Sequence, residues 1–259
     1  MYKNILVERE EGFAIVTMNR PREMNAQSAA MRAELQDCFT VLENDATASA
    51  VVLTGGDYVF SAGLDLKEMT ALADGEIDAY FKSIVAYLDK IYTFRKPVIA
   101  AVGGIALGGG FNLALVCDMI IASEAAIFGH PELKIGLNPF FSPLWRLVGM
   151  AKAKEITMLG EPIGAQEALR LGLVNRLTTP EHLMEEATAM ARKLSRCSTT
   201  ALAAVKRISD IVPRLDKSSA LALEYDMGAL LFSRAERKAY MEAFLADLKR
   251  RKKDETQSG

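Results

Sequence analysis

Residues that bind metals or form disulfides are scarce in this sequence. Three cysteines (Cys38, Cys117, Cys197) and two histidines (His130, His182) are scattered over 259 residues. That number and spacing exclude a disulfide framework and a thiolate metal site, and leave too few imidazoles for a zinc or non-haem iron centre. A dominant charge is lacking too, since 31 Lys+Arg against 33 Asp+Glu give a formal net charge of −2. No global basic field therefore draws the chain to nucleic acid or an anionic membrane. Residues 1–11 have neither a basic start nor an apolar stretch, so no signal peptide is expected and a reducing cytoplasm is the expected setting. One uncharged run, 98–117, reaches the length of a membrane span. It holds five glycines, three of them consecutive, and each costs ~1 kcal/mol against alanine inside a helix. It reads instead as a buried strand (98–102), a glycine turn and a buried helix (about 109–117).

What is present is the balance of a globular protein, half apolar and a quarter charged, long enough for one large domain or one domain plus an appendage. Runs of β type at 5–9 and 13–18 flank Glu10-Glu11-Gly12 as a hairpin. Ser28 can cap a helix over 29–43, with Met31, Leu35, Phe39 and Leu42 at helical spacing. A short buried strand at 50–54, a long helix over 77–94, the strand at 98 and short strands at 119–122 and 126–128 follow. This alternation predicts an α/β core with parallel pairing. Beyond Pro143 helices dominate: 151–159, 165–171, 180–196, 199–209, 220–233 and 234–253, with one β-type run at 172–174. The expected organisation is an α/β core over 1–195 and a helical C-terminal region over 196–259.

Common site signatures are missing. The run Gly103–Gly110 has glycines at Walker-A spacing but Gly109-Gly110 where Lys-Ser/Thr belongs, and no nucleophile elbow occurs. Two glycine turns do stand at strand-to-helix junctions, 60–69 (FSAGLDLKEM) and 106–112 (ALGGGFN). Taken alone each reads as a tight turn. Converging, they would aim unpaired helix-start N–H groups at one anionic oxygen, forming an oxyanion hole from backbone alone.

FSAGLDLKEM (60–69), KPVIAAVGGIALGGGFNLALVCD (96–118) and FGHPELKIGL (128–137), in this order, resemble the crotonase, or enoyl-CoA hydratase/isomerase, superfamily, over essentially the whole chain. The resemblance implies a spiral of repeated ββα units and a helical C-terminal part that builds a homotrimer, or a hexamer as a dimer of trimers. It implies an acyl-CoA thioester substrate, with CoA as part of the substrate and no separate cofactor or metal. The N–H groups of Leu64 and Gly109 match the oxyanion donors, and Glu132 matches the proton-transferring carboxylate. Ala62, Leu64, Asp65, Leu66, Lys67, Gly109 and Asn112 match substrate-contacting positions.

The family pattern usually has a second carboxylate where this chain has Asn112, a neutral amide that is no general base. The stretch 136–146, with two prolines and three aromatics, is expected to form a stiff apolar wall. Ala239-Tyr240 replaces the usual Glu-Gly in the last helix. His130 reads as a core histidine, Cys117 as packing, and the basic run at 249–253 as a solvated helix end. One carboxylate suffices to move a double bond, so the expected reaction is conversion of 3-enoyl- to 2-enoyl-CoA, with Glu132 shuttling the proton. The alternatives are hydration of 2-enoyl-CoA, another thioester reaction, and an inactive acyl-CoA-binding scaffold.

Overall fold

A computed structural model describes the backbone of residues 2–257 and the side chains of residues 2–250. The chain divides into two compact units, Met1–Arg196 and Cys197–Gly259. In the first, β1 (Ile5–Glu10) and β2 (Gly12–Met18) form a hairpin that turns at Gly12, where φ is +84°. Ser28 caps α1 (Ala29–Asn44) by accepting from the Met31 N–H. Then come β3 (Ala48–Thr54), β4 (Val59–Ser61), α2 (Leu66–Ala71) and α3 (Ile77–Tyr92). Next are β5 (Val98–Val102), β6 (Ile105–Leu107) and α4 (Gly109–Leu115). β7 (Met119–Ser123), β8 (Ile127–Gly129) and α5 (Phe141–Leu159) repeat that order. β9 (Ile163–Gly164), α6 (Ala165–Arg170), β10 (Arg176–Thr178) and α7 (Leu183–Ser195) complete the unit.

The pairs β3-β4, β5-β6 and β7-β8 each lay one strand into each of two sheets before the helices that follow. The larger sheet runs β1-β2-β3-β5-β7-β10, parallel from β2 onward, and the smaller runs β4-β6-β8-β9. This is the ββα spiral. The central strands β3 and β5 of the larger sheet are apolar on both faces because both faces are covered. Val51, Leu53, Val98 and Ala100 point into the main core with Leu35, Phe39 and Ile84. Ala50, Val52, Ile99 and Ala101 meet Leu183, Ala187 and Ala191 of α7 on the other side.

Two expectations need correction. Residues 172–174 are a turn, with Gly172 at φ +76°, and the strand lies at β10. Helix α5 begins ten residues earlier than expected, because Pro143 falls in its first turn, where no N–H is needed. It breaks at Gly149 (φ +77°, ψ 167°). The second unit comprises α8 (Thr199–Ile211), α9 (Lys217–Phe232) and α10 (Arg237–Gln257). Of the basic run 249–253, the side chains of 251–253 lie outside the described residues. No helix among the described residues is long and apolar enough to cross a membrane.

Candidate active site

The smaller sheet brings the two glycine turns together. β4 and β6 are parallel neighbours, so the loops leaving their C-terminal ends, 62–65 and 108–109, meet side by side. A Cβ placed on Gly63 would lie 3.1 Å from the Gly109 nitrogen, and one on Gly109 would lie 3.4 Å from the Leu64 nitrogen. Gly63 must be glycine, since its φ is +106° and a Cβ would also stand 2.9 Å from the Leu107 carbonyl. Each donor peptide is held from behind. The Gly63 carbonyl accepts from the Gln27 N–H at 2.8 Å, which turns the Leu64 N–H of the same peptide to the opposite side. The Gly108 carbonyl accepts from the Asn112 N–H at 3.0 Å, which fixes the Gly109 N–H at the start of α4. Neither Leu64 N–H nor Gly109 N–H donates to an acceptor among the described residues. Two adjacent backbone donors, each held from behind, are thus left without an acceptor among the described residues.

Glu132 sits over this pair. It opens the 3-10 turn Pro131–Ile135, whose first residue, a proline, has the backbone angle the turn requires. A Cβ on Gly108 would be 3.5 Å from Glu132 Oε1, so the carboxylate lies directly above the second loop. The Glu132 side chain is only 13% exposed. Its Oε1 contacts His130 Nδ1 at 3.3 Å, while its buried Oε2 has no hydrogen-bond partner. The contact with His130 engages one carboxylate oxygen and leaves the other without a partner. His130 is wholly buried, with its ring 4.9 Å from that of Phe111.

These groups line one cleft of about 610 Å³, which contains Ala62, Leu64, Asp65, Leu66, Lys67, Gly109 and Glu132. Asn112 stands apart from them. It is 2% exposed, is not on the cleft wall, and its Oδ1 lacks a partner, so its contribution to the cleft runs through its backbone N–H. The Asp65 carboxylate is committed to structure: it caps α2 through the Lys67 N–H and pairs with Arg20 at 3.0 Å. Burial pushes this carboxyl up, but hydrogen bonds from Arg20 and from the Glu68 and Lys67 N–H groups outweigh it and hold it below its usual range.

The expected aromatic wall is elsewhere. From 136–146 only Leu137 faces the cleft, whereas Phe140 and Phe141 pack on the main core. Sequence reasoning also missed Arg22, Met24 and Ala26, which come to the cleft from the loop after β2, and Lys134 and Ile135 beyond Glu132. That loop follows a hairpin and precedes a cap, and nothing in its spacing separates it from an ordinary connection. Arg22, Lys67 and Lys134 place three exposed cations at the cleft, beside the apolar side chains of Met24, Leu66 and Ile135.

The chain is similar to known proteins over nearly its whole length. The family model for enoyl-CoA hydratase/isomerase matches residues 8–255. A probable enoyl-CoA hydratase of Rhizobium meliloti is 38% identical over 251 residues, covering 96% of this chain and 97% of the relative. A short-chain-enoyl-CoA hydratase of Clostridium acetobutylicum is 37% identical, covering 93% and 94%. The crystal structure of enoyl-CoA hydratase from Bacillus anthracis superposes with a TM-score of 0.90 at 32% identity, covering 95% of this chain and 97% of that one. The fold is that of the crotonase-type enzymes. The chain belongs to the enoyl-CoA hydratase/isomerase family.

Proposed function

We propose that the protein is an enoyl-CoA hydratase that adds water across the double bond of a 2-enoyl-CoA. The observation that carries the chemistry is the buried, unpartnered carboxylate oxygen Glu132 Oε2, in the same cleft as the Leu64 and Gly109 donors. The names of the relatives favour hydration over the double-bond migration expected from the sequence. In this reading the thioester oxygen accepts from both N–H groups, drawing electron density from C3. Glu132 takes a proton from water, the hydroxide oxygen bonds to C3, and the resulting enolate receives the proton at C2. One carboxylate both accepts and returns the proton, so no second base is required. The exposed cations Arg22, Lys67 and Lys134 suit the phosphates of CoA, and the apolar side chains between them suit the acyl chain.

The isomerase reading keeps one specific support, the absence of a carboxylate at Asn112. There Glu132 removes a C2 proton from a 3-enoyl-CoA and returns it at C4 of the resulting dienolate, whose thioester oxygen is held by the same two donors. Incubation with matched 2-enoyl- and 3-enoyl-CoA esters separates the two readings. Faster consumption of the 2-enoyl ester, with 3-hydroxyacyl-CoA as product, is expected. Migration of the 3-enoyl bond without hydration would overturn the hydratase reading.

A further inference from the structure

Gln27 touches both oxyanion loops at once. It is fully buried in the loop before α1. Its backbone N–H donates to the Gly63 carbonyl at 2.8 Å, and its side-chain Nε2 donates to the Gly109 carbonyl at 3.1 Å. A carbonyl only accepts, so the amide nitrogen must face Gly109, and Oε1 is left to accept from the Tyr87 hydroxyl at 2.6 Å. Oε1 also presses on Gly109 itself, where a Cβ would stand 2.7 Å away. The Gln27 carbonyl accepts from Arg32 Nη1 at 2.6 Å. Tyr87 and Arg32 are fully buried on α3 and α1. Burial pushes the Tyr87 phenol above its ordinary value, against the pull of Arg32, so it stays a donor at any working pH.

We propose that Gln27 is the positioning residue of the oxyanion hole, holding both donor loops at their catalytic separation while Tyr87 fixes its amide. A side chain of similar length without the amide fills the volume but holds neither the Gly109 carbonyl nor the Tyr87 hydroxyl. Because the donors belong to two separate loops, the backbone of Gln27 fixes one and its amide fixes the other. A small misplacement of such donors costs on the order of 10²-fold in rate. This inference rests on the reading of Leu64 and Gly109 as thioester-oxygen donors.

The test uses butanoyl-CoA labelled with ¹³C at the thioester carbonyl, bound to the full-length protein, to Gln27→Met and to Tyr87→Phe. The infrared carbonyl stretch reports polarisation without turnover, and calorimetry gives the affinity. Wild type is expected to lower the stretch. Gln27→Met should lose most of that shift and ~10–100-fold in kcat on the better enoyl ester, with Kd for butanoyl-CoA changed less than ~3-fold. Tyr87→Phe, which removes one oxygen atom, should fall between. No shift in wild type would overturn the donor reading itself. A normal wild-type shift retained in folded Gln27→Met would overturn the role of Gln27 alone. If Gln27→Met fails to fold, a full shift and full kcat in Tyr87→Phe would overturn it equally.

Discussion

Glu132 has one oxygen in contact with His130 and one without a partner, so its substitution separates chemistry from shape. Glu132→Gln keeps the volume and removes the proton acceptor. Steady-state kinetics should show kcat lower by ~10²–10⁴-fold with little change in acyl-CoA affinity. Gly63 carries a different demand, since a methyl group there meets the Leu107 carbonyl at a backbone angle L residues rarely adopt. Gly63→Ala should lower stability by roughly 1–3 kcal/mol in urea melts and abolish activity with it. Asp65 sets a pH dependence. Its carboxyl is depressed in the folded state, so its contribution is complete above the ordinary carboxylate range near ~4 and is lost as pH falls through the folded value. Asp65→Asn should flatten the acid side of the melting-temperature profile while lowering the neutral plateau. The two glycine turns stood out because glycine at a strand-to-helix junction has a backbone meaning, whereas Glu132 was singled out only by the family resemblance. Gln27 was not, because a lone glutamine before a helix cap carries no signal until the fold shows what its amide touches.

Elements were legible in proportion to their length and periodicity. Helices α1 and α3 carry apolar residues at helical spacing on one buried face, and β3 and β5 are apolar runs bounded by turns. β4 and β6 have three residues each, too few for any period, and β6 lies inside the glycine turn. The smaller sheet that sets the donor loops side by side was thus the least visible part. Helix α7 shows how an amphipathic stripe does its work: Leu183, Ala187 and Ala191 close the outer face of the larger sheet. Leu183→Ala should cost about 2–5 kcal/mol in chemical denaturation, with the urea dependence unchanged. Glu132 turnover should persist in that variant at low temperature, since α7 contributes no cleft residue.

For the molecule as a whole, the spiral of two sheets followed from the family resemblance, because periodicity ranks elements but not the sheet each one joins. The helices of the second unit present Leu221, Tyr225 and Phe232 on α9 and Phe244 and Leu245 on α10 to solvent in a single chain. We propose that these faces pack against copies of the chain in a trimer or a dimer of trimers. Light scattering at micromolar concentration should give three or six times 28.3 kDa, and a stable monomer would contradict that assembly. Whichever enoyl reaction follows, Glu132 should form a thioester enolate held by the Leu64 and Gly109 N–H groups. Incubation of butanoyl-CoA with the protein in D₂O, followed by proton NMR, tests it directly. Wild type should exchange a C2 proton for deuterium, and Glu132→Gln should not. Absence of exchange in wild type, or equal exchange in the variant, would contradict it.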